Sequence, residues 1–521
     1  MPILKNSIRQ IKASFTSKDG IFILFVGLAL TARIGFWAYT NRTFEDALIT
    51  LAPIKNFWLG NGLTHHVTEP RVHSFTSVLS ILMPLPWEGL GMGLISMKIY
   101  SLAASVASLM ATRSIFNTLK VSKVPRILGY SFISLDQGQI FFGMSGMETQ
   151  IAVAILLTAY SYLLKEQWVR YGWCLGIGLL ARPDFVIYMI IGYVSYIACH
   201  KGLSLRFTIG TLLLPLLWVA AATAYFGSPI PNTIVAKSLI HDPYTLSNSL
   251  SSLVGYWKSF SPYWANYFTI NAPIAKWQAL IITLIIFCTA IYGLRFKYNQ
   301  GKKLTLIPAA GVFIYIIYLS FFQVSKYYLW YVQPVSAVLF IYCSIGFDAI
   351  IRLRIMPNLP LNFCIILLSF VYAIHIPNSF AIEKEFQDKV ESVRAEVGRY
   401  LDAHAAFNDV IILEPLGYTG INAFNKTIYD FPGLSSRASV AALRSLKPSE
   451  RNFANFIQRI QPKYIALRPQ EVYAFKNAHP NSAFDYTLLK VIKSDTSPNL
   501  SSGRLTYHQD DSEFHIYEKI N

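Results

Sequence analysis

Ile21-Phe22-Ile23-Leu24-Phe25-Val26-Gly27-Leu28-Ala29-Leu30-Thr31-Ala32-Arg33-Ile34-Gly35-Phe36-Trp37-Ala38-Tyr39 runs almost directly into Asn41-Arg42-Thr43-Phe44-Glu45-Asp46-Ala47-Leu48-Ile49-Thr50. The first stretch is apolar along its length except for Arg33, and about 20 such residues cross a bilayer as a helix. The second sets two adjacent carboxylates just past the point where that helix ends. Together they predict a membrane helix with acidic groups held at one water interface.

The rest of the chain repeats the first half of this pattern. Similar apolar runs lie near 94–117, 126–143, 148–164, 171–181, 184–199, 207–226, 278–295, 304–322, 327–345 and 360–377, giving about 11 expected spans. Only 14% of the 521 residues are charged and 53% are hydrophobic, where a soluble protein carries about a quarter charged. Lipid is the solvent that tolerates this balance. The net charge of +17 does not point to nucleic acid, because the basic residues fall in short clusters between apolar runs. With the N-terminus placed in the cytoplasm, Lys120, Lys123 and Arg126, then Lys165 and Arg170, Lys201 and Arg206, Arg295 to Lys303, and Arg352 and Arg354 all occupy cytoplasmic connections, as the positive-inside rule requires. The basic segment before residue 21 has no small-residue cleavage site after its apolar run, so that run is expected to be retained as the first helix.

This orientation places two long loops, 40–93 and 227–277, on the outer side, together with the tail. The expected organisation is a membrane module over 1–379 and an extracytoplasmic domain over 380–521. The tail opens with a polar helical stretch, Glu383–His404. Strand-like runs follow at Val410–Leu413, Tyr464–Leu467, Leu488–Ile492 and Phe514–Tyr517, with a helical pattern at Ser449–Ile460 that Ser449 is expected to cap. This reads as a small α/β domain. The five cysteines lie in or beside apolar runs and show no metal or disulfide spacing.

Candidate chemistry gathers on the outer side. A partly desolvated carboxylate at the membrane surface, Asp46 or Glu45, can take a proton from a hydroxyl or attack an anomeric carbon; the same pair can also simply cap the next helix. His65, His66 and Glu69 are candidates for a divalent cation, or are parts of a solvated loop. Ser74–Trp87 reads as a helix lying at the interface. Glu148, Arg182 with Asp184, Asn232, Lys237 and Lys326-Tyr327 fall at outer helix ends, where ionisable groups are costly to desolvate. Arg33 and Asp136 sit inside helices and are expected to pair. No internal repeat is visible, and the polar clusters lie at one face, which disfavours a transporter.

At this point the chain resembles a family. Phe44-Glu45-Asp46-Ala47-Leu48-Ile49-Thr50-Leu51, the Gly60–Leu63 turn and Ser74-Phe75-Thr76-Ser77 resemble the first outer loop of GT-C-fold glycosyltransferases. The mycobacterial-type terminal arabinofuranosyltransferases are most similar in pattern. Ser145-Gly146-Met147-Glu148-Thr149, Ala181-Arg182-Pro183-Asp184, Pro231-Asn232-Thr233 with Ala236-Lys237, Leu416-Gly417-Tyr418 and Ile428-Tyr429-Asp430 follow in the same order. The resemblance implies a GT-C-like polytopic helical membrane protein with a C-terminal soluble α/β domain, placed in a bacterial inner membrane. It also implies transfer of a sugar, arabinofuranose in that family, from a polyprenyl-phosphate carrier to a glycan or protein such as pilin. Mannosyl and aminoarabinosyl transferases are the alternatives within the fold.

By match of motif Asp46 is the catalytic acid residue, with Glu45 where relatives often carry a second Asp. Arg182, Lys237 and Lys326 would face the donor phosphate. Glu148, Asn232, His73, Tyr327 and Tyr418 would line the substrates, and no cofactor is implied with certainty beyond a divalent cation at most. The chain departs from the pattern at His73, Glu414 and Lys326. Nucleotide sugars are not expected as donors, since no glycine-rich nucleotide loop is present.

Overall fold

The computed structural model describes residues 18–240, 253, 260, 273–321, 329–355, 357–478, 485–495 and 511–520. Each apolar run becomes a helix. In chain order the helices are α1 (Lys18–Thr40), α2 (Glu45–Trp58, in the first long loop), α3 (Gly93–Thr118), α4 (Lys123–Leu135), α5 (Gln137–Met144), α6 (Thr149–Leu164), α7 (Trp168–Ala181), α8 (Phe185–His200), α9 (Leu205–Phe226), α10 (Asn232–Ile240), α11 (Pro273–Asn299), α12 (Leu306–Phe321), α13 (Leu329–Arg352) and α14 (Asn358–Phe386). Among the described residues seven helical stretches are long and apolar enough to cross a membrane. Of the other helices, α4 to α8 are shorter than a bilayer requires and pack among the long ones. The most apolar window of α13 is 83% buried, against 17–50% in the other six, so α13 is the axis around which the bundle closes. Its Phe340 stacks on Phe132 of α4, ring centroids 3.9 Å apart.

The expected run at 126–143 is two helices, and the reason is Asp136. Its Oδ1 accepts from Gly138 N at 3.0 Å and Gln139 N at 3.3 Å, so it N-caps α5 and ends α4. The carbonyls freed by the break are taken by the fully buried Arg33, which donates to Ile133 O at 2.9 Å, Ser134 O at 3.0 Å and Gln139 O at 3.3 Å. Arg33 and Asp136 thus meet at one break, each satisfying backbone groups that lipid could not.

The last membrane helix does not stop at the surface. α14 passes through a π-turn, Gln387–Glu391, into α15 (Ser392–His404), so the boundary drawn at 379 and 380 falls inside continuous helix. The tail then folds as β1 (Val410–Leu413), α16 (Leu416–Asn422), β2 (Thr427–Asp430), α17 (Arg437–Ser445), α18 (Phe453–Ile460), β3 (Tyr464–Leu467), α19 (Pro469–Ala478), β4 (Tyr486–Lys493) and β5 (Glu513–Lys519). The sheet order is β2-β1-β3-β5-β4. β1 pairs in parallel with β2 and β3, while β5 runs antiparallel to β3 and β4. One face of the sheet buries Leu401, Ile411, Leu413 and Phe514; the other buries Leu443, Phe456, Ile465 and Leu467.

Three local expectations are corrected. β2 was not expected, because Thr427-Ile428-Tyr429-Asp430 has polar residues at both ends and lacks the continuous apolar run of β1 and β3. The helix at 449–460 starts later: residues 448–450 make a 3-10 turn, and Asn452 caps α18 by accepting from Asn455 N at 2.9 Å. Ser74–Trp87 is not one interfacial helix. It is irregular to residue 78, where Val78 N donates to Leu180 O at 2.8 Å, and then makes two four-residue turns, Leu79–Leu82 and Leu85–Glu88.

Candidate active site

Four connections meet at one end of the bundle. The first leaves α1 through Thr40 and Asn41, which turns the chain in the left-handed region at φ 48°. Phe44 N then donates to Ser145 O at 2.9 Å, tying the start of α2 to the 145–148 loop. Gly146 makes that contact possible. It has φ +89°, and a Cβ there would lie 2.8 Å from Leu94 Cδ1 and 3.1 Å from Ala47 Cβ. The third connection, 182–184, follows α7. The fourth carries α10, whose Asn232 N donates to His73 O at 2.7 Å.

Asp46 occupies the first turn of α2 and is partly buried. Burial pushes its pKa up, and the Lys237 ammonium on α10 pulls against that rise. Glu148 precedes α6 and is likewise pushed up by burial; the Arg182 guanidinium opposes this, while the negative charges of Asp184 and Asp46 add to it. Each carboxylate therefore has its own cation, and the two pairs lie within electrostatic reach of one another. Arg182 is held rigidly. It donates from Nε and Nη2 to the two oxygens of Asp184, both at 3.1 Å, and from Nη1 to Trp330 O at 3.2 Å. Its guanidinium lies 4.2 Å from the Tyr331 ring centroid, and Tyr315 donates its hydroxyl to Asp184. A carboxylate with a raised pKa beside a fixed cation suits proton removal from a hydroxyl and stabilisation of an anionic leaving group.

Glu45 points elsewhere. It pairs with Arg394 of α15 at 3.3 Å and accepts from the backbone N–H groups of Gly417 and Tyr418. Tyr418 donates its hydroxyl to Thr43 O at 3.1 Å and to Gln387 Oε1 at 2.9 Å. Asn232 donates Nδ2 to Gly433 O at 2.7 Å. His73 has its ring stacked on Phe226, centroids 5.0 Å apart, with Phe75 and Trp218 around it. These four residues hold elements together. Lys326 and Tyr327 lie outside the described residues.

His65, His66 and Glu69, named as cation candidates or parts of a solvated loop, turn to protein partners. Among the described residues no three His, Cys, Asp or Glu side chains are arranged to hold a metal. Glu69 instead accepts from Ser436 Oγ at 3.0 Å, Arg437 N at 3.0 Å and Ala438 N at 2.7 Å, closing the N-terminus of α17. His66 lies 3.6 Å from Glu69 and bonds Thr68 at 2.9 Å, while His65 faces Gly420.

No family profile and no curated protein matches the chain. Solved structures do. ArnT from Cupriavidus metallidurans in the apo state superposes with a TM-score of 0.57 at 12% identity, over 96% of this chain and 98% of that one. The same protein bound to undecaprenyl phosphate gives 0.58 at 10% identity with the same coverage. The oligosaccharyltransferase of Archaeoglobus fulgidus in its apo form gives 0.53 at 10% identity, over 88% of this chain and 71% of that one.

The chain carries the GT-C fold.

Within this GT-C fold, the residues that sequence reasoning missed are the charged partners behind the first loop. Arg42 pairs with Glu383 at 3.3 Å and with Glu391. Arg394 pairs with Glu391 at 2.9 Å and with Asp511. Arg468 pairs with Asp511 at 2.8 Å and with Glu414. None belongs to a local motif. The signal available was a run of charges, Glu383 to Arg399, on a helix too polar to be in lipid and too regular to be a linker.

Proposed function

We propose that this chain is a membrane glycosyltransferase that takes a sugar from a polyprenyl-phosphate carrier and places it on a hydroxyl at the extracytoplasmic face. The observation that carries this reading is the meeting of Asp46, Lys237, Glu148 and Arg182 at one end of a GT-C bundle. The bound undecaprenyl phosphate of the ArnT structure and the dolichol phosphate of an AglB complex support a lipid-phosphate donor. The inner-membrane location, with the N-terminus in the cytoplasm and the tail outside, rests on the distribution of basic residues. Arabinofuranose, and an envelope glycan or a secreted protein such as pilin as acceptor, rest on the sequence resemblance.

In the step itself the bond between the anomeric carbon and the phosphate oxygen breaks, and the acceptor oxygen bonds to that carbon. The acceptor proton passes to Asp46, and polyprenyl phosphate leaves with the bonding pair. Arg182, fixed by Asp184, and Lys237 offset the charge gathering on the phosphate; Glu148 orients the acceptor. The test is sugar transfer from synthetic polyprenyl-phosphoryl arabinofuranose by purified wild type and Asp46→Asn. Loss of about 10²- to 10⁴-fold in a folded Asp46→Asn protein is expected, the range of a general base. Full activity in Asp46→Asn would remove this carboxylate from the chemistry. Turnover only with another polyprenyl-linked sugar would replace arabinofuranose and keep the mechanism.

A further inference from the structure

The two neighbouring carboxylates of the first loop do different things. Asp46 faces Lys237 of α10, whereas Glu45, one residue earlier, turns to the tail. Three tail groups converge on Glu45: the Arg394 guanidinium at 3.3 Å, and the backbone N–H groups of Gly417 and Tyr418. The contact is close enough to exclude a side chain. A Cβ on Gly417 would sit 2.3 Å from Glu45 O and 2.7 Å from Glu45 Cδ. Behind Arg394 the alternation of charge continues, through Glu391 to Arg42 and Glu383 in one direction and through Asp511 to Arg468 in the other. Arg42 belongs to the same loop as Asp46, and Lys98 of α3 donates to Arg42 O at 3.0 Å. The loop is thus gripped on one side by the bundle and on the other by the tail.

We infer that Glu45 is a positioning residue: by docking the Gly417–Tyr418 corner and Arg394 of the tail, it sets the place of the Asp46 carboxylate, so that turnover requires the docked tail. This inference rests on the transferase reading of Asp46. Glu45 is not consumed in the reaction. Its two oxygens are already engaged by the tail, which leaves Asp46 as the carboxylate able to reach an acceptor. The tail then acts in the chemical step through this corner as well as in any hold on the acceptor.

The experiment compares Glu45→Gln, Glu45→Ala and Gly417→Ala with wild type by two readouts. One is kcat and acceptor KM with the donor found active for wild type. The other, independent of activity, is hydrogen exchange of the 416–422 segment in the detergent-solubilised full chain. Glu45→Gln keeps an acceptor for the two N–H groups and should retain activity within about tenfold, the worth of one charge-assisted bond. Glu45→Ala and Gly417→Ala should each lower kcat by about 10²-fold through misplacement of the reacting group, with KM little changed. Both should also speed exchange at 416–422. A Glu45→Gln protein as inactive as Asp46→Asn would make Glu45 a catalytic residue and overturn the inference. Unchanged kcat in the two alanine variants despite faster exchange would also overturn it, by showing that docking is structural only. Absence of turnover by wild type with every polyprenyl sugar would instead sink the transferase reading; unchanged exchange in the alanine variants would then sink the docking role separately.

Discussion

Asp46 and Lys237 are separated widely along the chain and share one small volume, and this has a consequence for acidity. Burial raises the Asp46 pKa above the ordinary carboxylate range, and Lys237 restrains the rise. A base works only when ionised, so the activity of wild type should fall on the acid side at a pH above that of an ordinary aspartate. Lys237→Ala leaves burial unopposed and should move this acid limb to higher pH, while Lys237→Arg should keep it near its place. A pH profile of kcat/KM for the three proteins checks the sign; a limb that moves down in Lys237→Ala would show that Asp46 does not titrate there. Reading residue types alone reached Asp46, Glu148, Arg182 and Lys237 as candidates, because a charge at a membrane helix end is expensive and so rarely idle. It did not separate Glu45 from Asp46. Adjacent residues at a helix start point about 100° apart around the axis, and which of them faces the bundle depends on where the tail lands.

At the scale of elements, the loop 61–69 and α17 behave as one unit although far apart in sequence. Glu69 supplies the oxygens that the first N–H groups of α17 lack, a cap delivered from another part of the chain. Glu69→Ala should therefore loosen α17 with a cost of about 1–3 kcal/mol, as for donors left unmet in a partly buried place. Faster hydrogen exchange over residues 437–440 and a lower unfolding temperature are the expected readings. Unaltered exchange there would mean that Ser436, which also caps Ser439 N at 3.0 Å, suffices. The sequence pattern of His65, His66 and Glu69 suggested a cation because metal ligands and interface residues share the same side chains. Only the position of α17 distinguishes the two.

Over the whole molecule, membrane bundle and tail meet along a surface that includes buried histidines. His65 and His66 have pKa values pushed down to about 3 and about 4, by burial first and, for His65, by its neighbour. An undocked loop takes up protons from about 6.5 downward, and the docked one does not. The undocked state thus binds more protons between pH 6.5 and about 4, and docking weakens as pH falls through that window, by at most about 1.4 kcal/mol per pH unit for each histidine. Protection from hydrogen exchange at 61–69 and 416–430, taken relative to the intrinsic rate at each pH, should be lower at pH 5 than at pH 7.5, and the difference should shrink in a His65→Gln, His66→Gln double variant. Equal protection at both pH values would show that the histidines are hydrated.

The helical bundle was legible from the chain because lipid imposes a simple rule: an apolar run of sufficient length must be a helix, since no water is present to satisfy its backbone. The strands of the tail were mostly legible from short β-branched runs. What the tertiary structure alone decided was which charges share a pocket. Asp136 breaks a helix that its apolar neighbours would have continued. Glu45 leaves the site for Arg394 and Gly417, and Glu69 caps a helix of the tail. The last two outcomes join residues hundreds of positions apart, and an ion pair or a cap of that kind depends on distance in space, which local composition does not encode.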